Sequence, residues 1–286
     1  MEDYYDFNHM HIKNNVLVHY FRTADWDVRI PDGITSIGDN CFLTTVSPSE
    51  LRNVFIPDSV TSIGKSAFYK CKLLHTIRMS NNIQYIGDYA FTSCDSLISF
   101  YIPRSLKQIG KFICHGENFK EFIVEQGNEC FYAQGGVLFD SKKETLYVYP
   151  TNKNGESYIV PKTVNLIKSQ SFFDIKQLKE ITIQNEDTII EHQAFIFYKT
   201  LEVINITCNK LGYISGGAFW SCENLKEIRF NGTKREWRRI KKHRLAFMNM
   251  TYSRYLNNGR SFIVVCNNGT IKIKNKTNYR NLNSFD

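Results

Sequence analysis

The chain has 286 residues, 42% of them hydrophobic and 22% charged, a balance ordinary for a soluble folded protein. Its formal charge is +8, and six of those charges fall between Lys234 and Arg244, where seven basic residues face the single acid Glu236. No run approaches the roughly 18 consecutive apolar residues of a membrane helix, and no Cys-x-x-Cys pair or Cys/His cluster has structural-zinc spacing.

The start, Met1-Glu2-Asp3-Tyr4-Tyr5-Asp6, is acidic and lacks the apolar core of a secretory signal. The expected location is the cytoplasm if the chain is full length, and the cell surface or the exterior if a signal peptide was trimmed. His9-Met10-His11, the one local histidine pair, lies in a polar segment that reads as a capping strand rather than a metal site. Residues 1–27 are expected to form an N-terminal cap.

From Val28 onward the chain repeats itself. Val54, Ile56, Val60, Ile63-Gly64, Ala67-Phe68 and Cys71 are answered about 23 residues later by Ile77, Met79, Ile83, Ile86-Gly87, Ala90-Phe91 and Cys94. The template is Leu-x-x-Ile-x-Ile-Pro-x-x-Val-x-x-Ile-Gly-x-x-Ala-Phe-x-x-Cys. A period in this range marks a solenoid, in which each unit buries its apolar face only against its neighbours.

Within a unit, Leu-x-x-Ile-x-Ile alternates with period two and predicts a short strand with one side in the core. Pro31, Pro57, Pro103 and Pro161 sit where such strands end, since proline gives no further ladder donor. Ala-Phe-x-x-Cys has the spacing of a single helical turn, and stacked copies make a parallel sheet. Lys168, Glu191 and Ser215 stand where other copies have the glycine, so that glycine is not needed for a left-handed conformation.

Residues 28–124 form the first array. Two departures fall within it: Leu43 to Glu50 add three residues, and Phe112-Ile113-Cys114 lacks the Ala-Phe pair. Residues 125–157 break the period, and the strand-like runs on either side of Asp140-Ser141-Lys142-Lys143 read as a β-hairpin insert. Residues 158–230 form the second array, and 231–286 a C-terminal cap whose basic stretch, Thr233 to Met248, reads as a helix.

On these residues the chain resembles the BspA-type leucine-rich repeat family over roughly residues 12 to 273. Phe55-Ile56-Pro57-Asp58-Ser59-Val60-Thr61-Ser62-Ile63-Gly64 is close to its core motif. Ile12 to Pro31 resembles its N-terminal cap. Phe230 to Trp237 with Val264 to Ile271 resembles its C-terminal cap. The resemblance implies a right-handed leucine-rich repeat arc, an α/β solenoid with both caps, serving protein interaction without catalysis or cofactor.

Two surfaces stand out. If Val54 and Ile56 point inward, Phe55 points out, and the same phase selects Arg29, Arg78, Tyr101, Ile123, Ile159 and Arg229. Exposed aromatics near arginines have the make-up of an interface hot spot, so the expected partner is a protein on this sheet face. The alternative is nucleic acid or an acidic surface bound by Lys234, Arg235, Arg238, Arg239, Lys241, Lys242 and Arg244. Cys71, Cys94 and Cys222 share a slot that Ile175 and Tyr198 fill elsewhere, which makes it core rather than a disulfide position.

Overall fold

The computed structural model describes residues 4–5, 9–21, 26–43, 50–243, 246–247 and 261–273. The chain forms two compact units, Met1–Lys142 with Pro150–Lys153, and Lys143–Tyr149 with Asn154–Asp286. Both are repeat β-solenoids with parallel sheets.

In the first unit one ladder of short parallel strands joins Val16–Tyr20, Ser36–Ile37, Ser62–Ile63, Tyr85–Ile86 and Gln108–Ile109. Leu17, Ile37, Ile63 and Ile86 are fully buried along it, whereas Ile109, the last rung, is only half-buried. A second ladder pairs Asp27–Arg29, Asn53–Phe55 and Thr76–Arg78. Ser99–Ile102 pairs with Glu121–Val124 in a sheet of its own. In the second unit the same two ladders are Thr145–Val148, Leu166–Ile167, Ile189–Ile190 and Tyr213–Ile214, and Ser157–Ile159 through Glu227–Phe230. The repeat isoleucines thus line two ladders, one in each unit, rather than a single one.

Aromatic side chains stack along both cores. Tyr20, Phe42, Phe68 and Phe91 follow one another with ring centroids 5.0, 4.6 and 4.9 Å apart. Tyr149, Phe172, Phe195 and Phe219 do the same at 5.2, 4.9 and 5.1 Å. The spacing follows from the backbone, because rungs of a sheet lie about 4.8 Å apart. Phe112-Ile113-Cys114 ends the first stack, and Phe91 instead meets Phe100 edge-on at 4.9 Å.

The repeat glycine answers to crowding. A Cβ on Gly87 would stand 2.8 Å from the backbone carbon of Gly64, and one on Gly110 2.7 Å from that of Gly87. The left-handed residue comes two positions later: Asn40, Ser66, Tyr89, Phe112, Gln170 and Gln193 all have φ between 50° and 61°. The N–H groups of Ser66 and Tyr89 reach the next rung at 2.8 and 2.9 Å, which holds that strained geometry in place.

Hairpins stand at the two ends. Met10–Lys13 pairs with Val16–Tyr20 through Asn14-Asn15, both left-handed as a tight primed turn demands. Phe262–Cys266 joins the second unit's ladder and pairs antiparallel with Gly269–Ile273. Gly135-Gly136 makes a further two-residue turn between Phe131–Gln134 and Val137–Asp140. The Ala-Phe-x-x-Cys segments come out as turns, except that Phe91–Thr92 forms a short strand paired in parallel with Cys114–His115.

The helix expected over Thr233 to Met248 is much shorter. Among the described residues α1 (Lys234–Arg239) is the one helix, six residues long. Thr233 and Glu236 cap each other at its start, the Glu236 carboxylate accepting the Thr233 N–H at 2.7 Å. It stops because the ladder takes the chain. Ile214 donates to the Lys241 carbonyl at 3.1 Å and His243 to Ile214 at 2.9 Å, which makes Lys242 a bridge on the next rung.

Candidate partner-binding surface

Strand alternation decides which side chains leave the core. Val54 and Ile56 are buried on either side of Phe55, and Phe55 stands opposite Arg29 and Arg78 in the register of its two neighbours. The Arg29 guanidinium carbon lies 4.0 Å over the Phe55 ring. These three residues, with Pro31, Asp58 and Met79, line a cleft of about 700 Å³. Asp58 on its rim accepts hydrogen bonds from the Asn81 backbone N–H at 2.9 Å and side-chain amide at 3.3 Å, which hold its carboxyl below the usual range.

Tyr101 and Ile123 are register partners in the separate two-stranded sheet, 39% and 45% exposed. Burial, then the hydrogen bond its hydroxyl donates to Glu125, raises Tyr101 above the ordinary tyrosine value. Glu125 is held low, first by the Arg104 N–H at 2.7 Å. Ile159 heads the second unit's row, 60% exposed, followed by Thr182, Asn205 and Arg229. That row satisfies itself: Asn205 donates to the Glu180 carboxylate, and Arg229 pairs with Glu227 at 2.5 Å.

At the other candidate surface, Arg235, Arg238, Arg239 and Lys241 are exposed while Trp237 anchors α1 against Phe230, 5.4 Å away. Lys242 is not part of a solvated patch. Its Nζ donates to the Trp237 and Ile240 carbonyls at 2.6 and 2.8 Å, closing the end of α1, and burial lowers it to about 8. Arg244 lies outside the described residues.

A family model of the BspA-type leucine-rich repeat region matches residues 20–135 and 147–266, in six copies. The chain belongs to this family. Among solved structures, the pneumococcal vaccine antigen PcpA is 30% identical with a TM-score of 0.63, over 73% of this chain and 50% of that one. A leucine-rich repeat protein from Eubacterium ventriosum is 24% identical with a TM-score of 0.54, over 76% of this chain and 66% of that one. The chain therefore spans half the length of the pneumococcal protein. No match is found among curated proteins.

In this BspA-type repeat the sequence reading passed over a second exposed row, the position just after the repeat leucine. In the first unit it holds Arg52, His75, Ile98 and Lys120, preceded by Trp26. Trp26 and Ile98 are each 55% exposed, and the Arg52 guanidinium carbon lies 4.2 Å over the Trp26 ring. In the second unit the same position holds Glu156, Lys179, Glu202 and Lys226, whose alternating charges pair at 2.6 Å (Lys179–Glu156) and 2.5 Å (Lys226–Glu202). Listing the residue after each repeat leucine would have shown the contrast.

The repeat cysteine has a role of its own. Cys71, Cys94 and Cys222 are buried, and each thiol points at the carbonyl of the preceding rung's phenylalanine, at 3.9, 3.3 and 2.9 Å for Phe42, Phe68 and Phe195. Burial pushes the Cys94 and Cys222 thiols well up. His11 and His19 face each other across the first hairpin, and burial, then the charge of His11, lowers His19. Among the described residues, no group of three histidines, cysteines or acids is placed to hold a metal ion. No helix among them is long and apolar enough to cross a membrane.

Proposed function

We propose that the protein is a non-enzymatic scaffold that binds a partner protein through outward strand residues, Arg29, Phe55, Arg78, Tyr101 and Ile123 in the first unit and Ile159 and Arg229 in the second. Leucine-rich repeats serve in general as protein-interaction modules, and repeat solenoids present extended rows of side chains suited to that use. The observation that carries the reading is the cleft of about 700 Å³ around the Arg29–Phe55 pair. It combines an aromatic anchor with arginine, the residue types that dominate interface hot spots. The terminal hairpins act as caps of right-handed arrays, 1–27 for the array at 28–124 and 231–286 for the array at 158–230, with 125–157 as an insert in the chain.

Affinity capture from native lysate tests this. A protein retained by the wild type and lost with Phe55→Ala and Tyr101→Ala supports it. Retention by both variants refutes it. The second reading, nucleic acid or an acidic surface on α1, draws on the exposed Arg235, Arg238, Arg239 and Lys241. It requires capture to weaken steeply with salt and to fail with Arg238→Glu/Arg239→Glu.

A further inference from the structure

The two units differ in how their outer rows are satisfied. In the second unit Glu156, Lys179, Glu202 and Lys226 neutralise one another, and Arg229 is paired with Glu227. In the first, none of Arg29, Arg52 and Arg78 is in an ion pair among the described residues, although all three are exposed. Two of them are seated on aromatic rings instead, Arg29 on Phe55 and Arg52 on Trp26. A guanidinium held on a ring keeps its edge donors free and has already lost much of its rotamer freedom, so it receives a carboxylate at lower entropic cost.

The cleft has a second side. Asp32 and Asp58 stand on its turn edge, opposite the arginines in character. A polynucleotide would bring phosphates to both sides, repelled by the aspartates, and its phosphodiester groups carry no donor for them. An extended peptide supplies carboxylates from its side chains and N–H groups from its backbone, and so suits both.

We infer that the cleft of the first unit, between Arg29, Phe55 and Arg78, receives an extended acidic peptide segment of a partner protein. This rests on the sheet-face reading above and assigns it to one unit and one partner chemistry. The cation–π pair with Phe55 holds Arg29 ready, and Arg78 stands beyond the ring in the same register. Phe55 offers apolar surface to a side chain between the acids, and the ion-paired outer rows of the second unit take no part in charge recognition.

The test uses the full chain and a fluorescein-labelled decapeptide rich in glutamate and containing one tyrosine, with a lysine-rich decapeptide and a single-stranded oligonucleotide as controls. The glutamate peptide should bind, and Arg29→Gln/Arg78→Gln should weaken it by about tenfold or more, while Arg238→Gln/Arg239→Gln leaves it within about twofold. The lysine peptide should not bind. Circular dichroism melts establish that both double variants fold. No binding of the glutamate peptide, or equal loss with the α1 variant, or tighter Arg29- and Arg78-dependent binding of the oligonucleotide, overturns the inference. If that happens while Tyr101→Ala still releases the captured native partner, the sheet face stands and only the acidic chemistry and its place in the first unit fall.

Discussion

Arg29 and Phe55 are register partners on neighbouring parallel strands, and the guanidinium of one covers the ring of the other at 4.0 Å. An arginine fixed this way has less freedom to lose when it binds, which favours the row it belongs to as an interface.

The first prediction concerns Tyr101, exposed in the separate two-stranded sheet. Tyr101→Ala should leave the melting temperature nearly unchanged, because the ring is 39% exposed and contributes little to the core. It should weaken partner binding by about 1–2 kcal/mol or more if Tyr101 is a hot spot. Charge reversal at Arg238 and Arg239 is the matched control and should leave affinity intact. The opposite pattern, binding lost with the reversals and kept with Tyr101→Ala, moves the site to α1.

The second prediction separates two isoleucines that the repeat makes look alike. Ile86 is fully buried in mid-ladder, whereas Ile109 is half-buried on the last rung. Ile86→Ala should cost about 2–5 kcal/mol of unfolding free energy, and Ile109→Ala clearly less. Urea titration measures both. Equal costs would mean that ladder position does not govern burial.

The sequence made the ladder legible because its physics is local and periodic. Alternation put Val54 and Ile56 inside and Phe55 outside, and the period put Arg29, Phe55 and Arg78 in one register. What it could not show depends on competition between elements. A basic stretch with helical spacing from Thr233 onward gave no sign that Ile214 would recruit Lys241 to His243 as another rung and cut the helix short. Nor does a period distinguish the alternating charges at Glu156, Lys179, Glu202 and Lys226 from the aromatic and cationic side chains at Trp26 and Arg52. That contrast lies in residue identity at one fixed position, which the period alone does not weigh, and the pairing that neutralises the charges appears only once the rungs are stacked.

Tyr198 carries the third prediction. It fills the repeat cysteine slot, fully buried among Phe172 and Phe195, and its hydroxyl has no hydrogen-bond partner among the described residues. A buried hydroxyl without a protein partner costs about 1–3 kcal/mol. Tyr198→Phe keeps the ring and removes the polar atom, so it should raise the unfolding free energy by up to that amount. A drop in stability would show that the hydroxyl is satisfied.

The fourth prediction is alkaline unfolding. Burial raises Tyr149 to about 12 and lifts Tyr158 and Tyr198 in the same direction, and it raises the thiols of Cys94, Cys114 and Cys222. All of these groups are neutral in the fold and would be charged on ionising, so the unfolded chain gives up its protons first. Their contribution is fully present below the ordinary values, about 9 for thiol and 10 for tyrosine, and is lost as pH climbs from those values toward the raised ones. For Tyr149 the window runs from about 10 to 12, and the loss across it is on the order of 1–3 kcal/mol. In a Lys242→Met background, which removes the opposing effect of an amine that burial lowers to about 8, the urea midpoint should therefore be flat up to about pH 9 and fall steadily above it, with tyrosinate absorbance from these rings appearing only as the protein unfolds. A midpoint unchanged at about pH 11, or tyrosinate formed in the still-folded protein, would show that these side chains are not held in a dry core.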